Sequence, residues 1–162
     1  MPNVVQHLNQ FKHNNKTLCL LCEVCNDKTW DWKVTICYYA ALHLIHAHLA
    51  KHDSHPETHG SVKRAINPLK NSRSKVSYKA WENYTELEFI CNSCRYLDNS
   101  VSFRGVTKKC FTDALVHYDI ILSEYNVMYP NEISGFKVTI DYAPQMPLKF
   151  IQLVKAMEKS PH

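Results

Sequence analysis

The chain has 162 residues, 45% of them hydrophobic, with only 3 glycines; that is enough for one domain with its own core and favours helices over a turn-rich sheet. A net charge of +4, from 19 Lys and Arg against 15 Asp and Glu, is too mild to demand nucleic acid or a membrane surface, so charge placement matters more than the sum. No apolar run reaches the ~18 residues of a spanning helix, no basic-then-apolar leader opens the chain, and its seven cysteines are an odd number, so the expectation is a reduced, cytoplasmic setting without membrane contact.

In chain order, Asn3 is placed to cap a first helix running to about Asn26. Its apolar side is Val4, Leu8, Phe11, Leu18, Cys22 and Cys25, interrupted only by Asn15. The polar break Asn26-Asp27-Lys28-Thr29 leads into a second helix ending near His52. From Trp32 to Leu49 this helix has no Gly, no Pro and one fixed charge, Lys33, so it is apolar on nearly every side and should lie at the centre. Its polar atoms, in Tyr38, Tyr39, His43, His46 and His48, then need partners, since a buried polar group left unpaired costs about 1–3 kcal/mol.

After the turn Asp53-Ser54-His55-Pro56, Thr58 caps a short helix that Asn67-Pro68 stops at Ile66. Leu69 to Ser77 reads as a mobile, basic loop. A long helix follows from about Val76 to Leu97, with Ala80, Tyr84, Leu87, Cys91 and Cys94 on one stripe. Another runs from about Lys108 to Tyr125, with Phe111, Ala114, Leu115, Tyr118, Leu122 and Tyr125 inward. Phe136, Val138, Ile140 and Tyr142 then alternate with polar residues, predicting a strand, and Leu148 to Lys159 a last short helix. The expected organisation is an all-α, up-and-down bundle of four to five helices over residues 1–126. Residues 127–162 form a C-terminal extension of strand plus helix, packed on the bundle or on a dimer mate.

Cys19, Cys22 and Cys25 form C-x-x-C-x-x-C, and Cys91 with Cys94 a second C-x-x-C, a composition that suits zinc or a cluster. Both sets, however, continue apolar helix seams without a glycine-rich knuckle, so core packing is the expectation. Six of the ten histidines lie between His43 and His59, with His48 and His52 at i, i+4. That pair lacks a carboxylate or Cys partner in register, so no metal and no cofactor is assigned, and the histidines are expected to be partly exposed, with His43 satisfied in the core. Between Glu57 and Glu82 there is no acidic residue, whereas Lys63, Arg64, Lys70, Arg73, Lys75 and Lys79 all fall there. Of these, Lys63, Arg64, Lys70, Arg73 and Lys75 are candidate contacts to a phosphate backbone. A metal-independent ribonuclease needs an acid or base beside a cation that stabilises the phosphorane, and the candidates are His59 with Arg64, and Arg95 with Tyr96.

Asp31-Trp32, Tyr38-Tyr39-Ala40-Ala41-Leu42-His43, His59 followed five residues later by Arg64, and Arg95-Tyr96 together resemble the HEPN superfamily. They are most similar to its small prokaryotic members with a Tyr-Tyr-Ala-Ala-Leu-His type second helix. The resemblance covers about Asn15 to Tyr125 and implies a helical bundle, usually a homodimer, in RNA-cleaving toxins, defence systems and nucleotide-handling partners. It also implies a polar centre containing Tyr39, His43 and Tyr96. Active HEPN ribonucleases carry Arg followed after four to six residues by His. Here Arg95 is followed by Tyr-Leu-Asp-Asn-Ser-Val-Ser and Arg104 by Gly-Val-Thr-Lys-Lys-Cys-Phe, and Arg64 and Arg73 also lack the His. The expected function is therefore a nucleic-acid or nucleotide-binding module of a defence or toxin–antitoxin type system, without the standard ribonuclease motif. The alternatives are a metal-independent ribonuclease using His59, Arg64 and Arg95, and a helical adaptor that recruits a protein partner through the C-terminal strand.

Overall fold

The structure is a computed structural model that describes residues 1–25, 29–95 and 106–133. Within them the chain forms five helices: α1 (Val4–Val24), α2 (Trp30–Lys51), α3 (His59–Ile66), α4 (Tyr78–Arg95) and α5 (Lys108–Met128). The predicted strand from Phe136 to Tyr142, the helix from Leu148 to Lys159 and Tyr96 lie outside the described residues. Among the described residues the secondary structure is entirely helical, and no helix there is long and apolar enough to cross a membrane.

Helix α2 is the spine, packed against α1, α4 and α5. Cross-helix contacts fix the directions. His7 near the start of α1 meets His43 in the second half of α2, so these two run antiparallel. Ser77, just before α4, bonds Glu124 near the end of α5, and Tyr39 of α2 meets Arg95 at the end of α4, so α4 runs against both α5 and α2. The result is the expected up-and-down bundle, with α3 inserted in the α2–α4 connection.

Local signals set the helix ends. The Asn3 side chain accepts from the Gln6 amide and the Gln6 side chain from the Asn3 amide, a reciprocal cap, and Thr58 and Ser61 repeat it at α3. Helix α4 starts two residues later than expected. Val76 donates instead to the Ile66 carbonyl at 3.1 Å, and Ser77 Oγ accepts from the Ala80 amide at 3.0 Å in the manner of an N-cap. The inward face expected for α5 is buried in full.

Helix α1 departs from the expected seam. Its buried residues are His7, Phe11, Asn15, Leu18 and Cys19, whereas Val4, Leu8 and Cys22 are only partly covered. Asn15, only 2% exposed, therefore belongs to the seam rather than interrupting it, because the Tyr118 hydroxyl of α5 donates to its Oδ1 at 3.0 Å. The other three fully buried tyrosines are satisfied in the same way: Tyr38 and Tyr84 by each other, and Tyr125 by Glu132 Oε2 at 2.9 Å. Lys33 is buried as well, its ammonium directed to the Cys25 carbonyl and lying 4.2 Å from the Trp30 ring centroid.

Cys37 and Cys91 lie in the core, Cys19 is buried, and Cys22 and Cys94 pack against the core. Burial pushes the Cys19 thiol up to about 12 and the Cys22 and Cys91 thiols to about 11, so at neutral pH they are protonated.

Candidate functional site

Tyr38 and Tyr39 sit side by side on α2 and reach different neighbours. The Tyr38 hydroxyl lies 2.8 Å from His59 Nδ1 at the start of α3 and 3.2 Å from the Tyr84 hydroxyl of α4. Each hydroxyl has one proton, so when Tyr38 donates to His59, Tyr84 donates to Tyr38. One turn beyond Tyr84, Glu88 is 4% exposed. The Lys63 ammonium of α3 lies 2.7 Å from its Oε2, an oxygen with no further hydrogen-bond partner. The Trp81 indole N–H donates to the Lys63 carbonyl at 3.3 Å. Three ties thus hold short α3 in place, and one of them, Tyr84–Tyr38–His59, leads from the core to the exposed His59 imidazole.

Burial raises the Tyr38 and Tyr84 hydroxyls above their ordinary range; the bond from Tyr84 partly offsets this for Tyr38, while the nearby Glu88 charge adds to it for both. Both are therefore protonated at neutral pH and act as donors rather than as phenolate nucleophiles. On the adjacent position, Arg95 Nη1 donates to the Tyr39 hydroxyl at 3.1 Å, with the guanidinium carbon 5.5 Å from the ring centroid.

The candidate catalytic residues are only partly brought together. His59 is held by Tyr38 and Arg95 by Tyr39, and the two tyrosine rings meet edge-on with centroids 5.5 Å apart. Arg64 lies on the exposed side of α3 and is joined to neither. His43, expected in one polar centre with Tyr39 and Tyr96, has its Nδ1 3.2 Å from His7 Nδ1 of α1, and Tyr96 lies outside the described residues. Burial, then the neighbouring His7, pulls His43 down to about 4, so it is neutral at pH 7. No periodicity could have paired His7 with His43, because a polar residue buried by a long-range contact leaves no apolar signal.

The basic stretch divides in two. Lys63 is paired with Glu88, and Lys79 with Glu124 at 3.3 Å. Arg64, Lys70, Arg73 and Lys75 are exposed and have no ion pair among the described residues. The segment that carries the last three is braced rather than loose, contrary to the expected mobile loop. Asn67 Oδ1 accepts from the Leu69 amide, Ser74 Oγ donates to the Ala65 carbonyl at 3.1 Å, and the Ser74 amide donates to Ser72 Oγ.

The main anchor is His48, which is buried rather than partly exposed at the helix end. Its Nε2 lies 2.9 Å from the Ser74 carbonyl and its Nδ1 2.8 Å from the Tyr129 hydroxyl. A carbonyl only accepts, so Nε2 carries the proton and Nδ1 accepts from Tyr129. Burial lowers the His48 pKa, which keeps this neutral tautomer at pH 7. Both nitrogens are therefore engaged in hydrogen bonds. Its ring meets that of His52 as an edge contact.

Comparison of the chain with models of protein families, with curated proteins and with solved structures finds no significant match. The reading of function rests on the residues and their arrangement.

Proposed function

We propose that the chain is a HEPN-like module that binds nucleic acid through its phosphate backbone, in a cytoplasmic defence or toxin–antitoxin type system, without the standard ribonuclease motif. The observation that carries this reading is the braced segment after α3. Arg64 on α3 and Lys70, Arg73 and Lys75 after it project to solvent, the last three from backbone that hydrogen bonds to Ala65, Ser72 and the buried His48 hold in place, with no carboxylate in the sequence between Glu57 and Glu82. Phosphate contacts are non-directional in sequence but demanding in spacing, so a pre-ordered row of cations loses less entropy on binding than a floppy one. Lys63 belongs to the architecture in this reading, because it neutralises Glu88. A homodimer, as the resemblance implies, would present two such rows.

Fluorescence anisotropy with a labelled single-stranded RNA tests this. With four phosphate contacts, affinity should fall about 50-fold between roughly 50 and 200 mM salt. Replacing Arg64, Lys70, Arg73 and Lys75 by Ser should abolish both binding and its salt dependence. Binding that survives that replacement, or that ignores salt, refutes the proposal.

The runner-up reading, a metal-independent ribonuclease, draws on the His59–Tyr38 hydrogen bond. An exposed imidazole oriented by a buried hydroxyl is suited to proton transfer, with Arg95 on the next residue's ring as the phosphate clamp. RNA cleavage lost in His59→Ala and retained in Cys91→Ala is its signature.

A further inference from the structure

Three imidazoles gather where the first half of α1 crosses the second half of α2. His7 and His43 face each other through Nδ1 at 3.2 Å, with ring centroids 5.5 Å apart. His46, one turn after His43, is stacked on His7 with centroids 5.1 Å apart, and the His43 and His46 centroids are 6.5 Å apart. For a tetrahedral zinc ion with bonds of about 2.0–2.1 Å, two ligating nitrogens lie about 3.3 Å apart and their ring centroids about 5–5.5 Å apart. The triangle observed is close to that size on two of its sides, and the nitrogen pair already has the ligand–ligand separation.

As the rings stand, no group of three or more His, Cys, Asp or Glu among the described residues is set to hold a metal ion. Here Nδ1 of His7 is turned to Nδ1 of His43 in a hydrogen bond. The geometry points to a three-histidine site for a borderline divalent metal, zinc, formed by His7, His43 and His46 when the imidazoles turn about χ2, a soft torsion. A neutral imidazole offers one lone pair to a metal, and binding releases any proton that the ligating nitrogen carries. The fourth position goes to water.

The test uses the untagged full chain, stripped with a chelator and titrated with Zn²⁺ by calorimetry and with Co²⁺ by visible absorption. We expect one equivalent bound, a tetrahedral or five-coordinate Co²⁺ spectrum, and a raised melting temperature. His46→Gln and His7→Asn should each weaken binding by at least about 10-fold, while His52→Gln leaves it unchanged. Circular dichroism separates lost binding from lost folding. Imidazole ¹⁵N spectra of the unsubstituted chain give a readout independent of variants, with Zn²⁺ shifting the signals of His7, His43 and His46. Absence of saturable binding, binding that persists in His46→Gln, or zinc-induced shifts confined to other histidines overturns the inference.

Discussion

Replacing His48 by Leu separates the architecture of the basic segment from its charge. The substitution keeps a buried side chain of similar size but removes both hydrogen bonds, leaving the Ser74 carbonyl and the Tyr129 hydroxyl without their partner. Ser74 is buried, whereas Tyr129 is partly exposed and can turn to water. At about 1–3 kcal/mol for a fully buried unsatisfied group and less for the exposed one, the cost should total about 2–4 kcal/mol. Urea denaturation measures it, and Tyr129→Phe, which deletes only the outer bond, should cost about 0.5–1.5 kcal/mol. RNA affinity should fall in His48→Leu because the segment must then be ordered on binding. The slope of log affinity against log salt should stay the same, since no cation has been removed. Substituting Arg73 alone should do the converse, lowering that slope by about one phosphate contact. A His48→Leu protein within 0.5 kcal/mol of the original, or one whose salt slope changes as much as that of the Arg73 variant, refutes the bracing argument.

Other outcomes follow from the same contacts. His43 and His46 are pulled down to about 4 and His48 is lowered, each chiefly by burial, so the unfolded chain binds more protons below the ordinary value of 6.5. Stability should therefore be fully present above pH 6.5 and decline as pH falls from there toward 4. Urea midpoints at stepped pH would show it, and His43→Gln with His46→Gln should flatten the decline, while stability that rises on acidification contradicts it. Tyr118→Phe strands the buried Asn15 amide and should cost about 1–3 kcal/mol, most of it recovered when Asn15→Leu is added, as a double-mutant cycle reads. Lys63→Met should destabilise by about 1–3 kcal/mol through the buried Glu88 carboxylate, and adding Glu88→Gln should restore much of the loss, as thermal melts of both variants would show.

The parts of this fold that sequence reasoning reached are those governed by local rules. The absence of charge along α2, the Thr58 cap and the inward stripe of α5 each depend on residues within a few positions of one another. The misses are long-range. Asn15 looked like a gap in a seam because its partner, Tyr118, is 103 residues away. The basic segment looked loose because its composition is polar, and its anchor, His48, lies 26 residues before the carbonyl it holds. For the site, the need of Tyr38 and His48 for partners could be read from their burial, but the partners could not. His59 was expected with Arg64 and is paired with Tyr38.

These polar groups also explain why a helix apolar on nearly every side packs in one register only. At 3.6 residues per turn, Tyr39, His43 and His46 fall on one face of α2, with Tyr38 and His48 turned away from it in different directions. Each direction has a specific partner. His43 and His46 meet His7 of α1, Tyr38 meets Tyr84 of α4 and His59 of α3, and His48 meets Ser74 and Tyr129. Apolar contacts alone tolerate sliding, because one leucine or isoleucine replaces another at little cost. A shift of α4 along α2 by one residue would break Tyr38–Tyr84 and Tyr39–Arg95 together and leave the buried Tyr84 hydroxyl unpaired. The same side chains that impose this register set where His59, Arg95 and the basic segment stand, so the placement of the candidate site follows from the packing of the core.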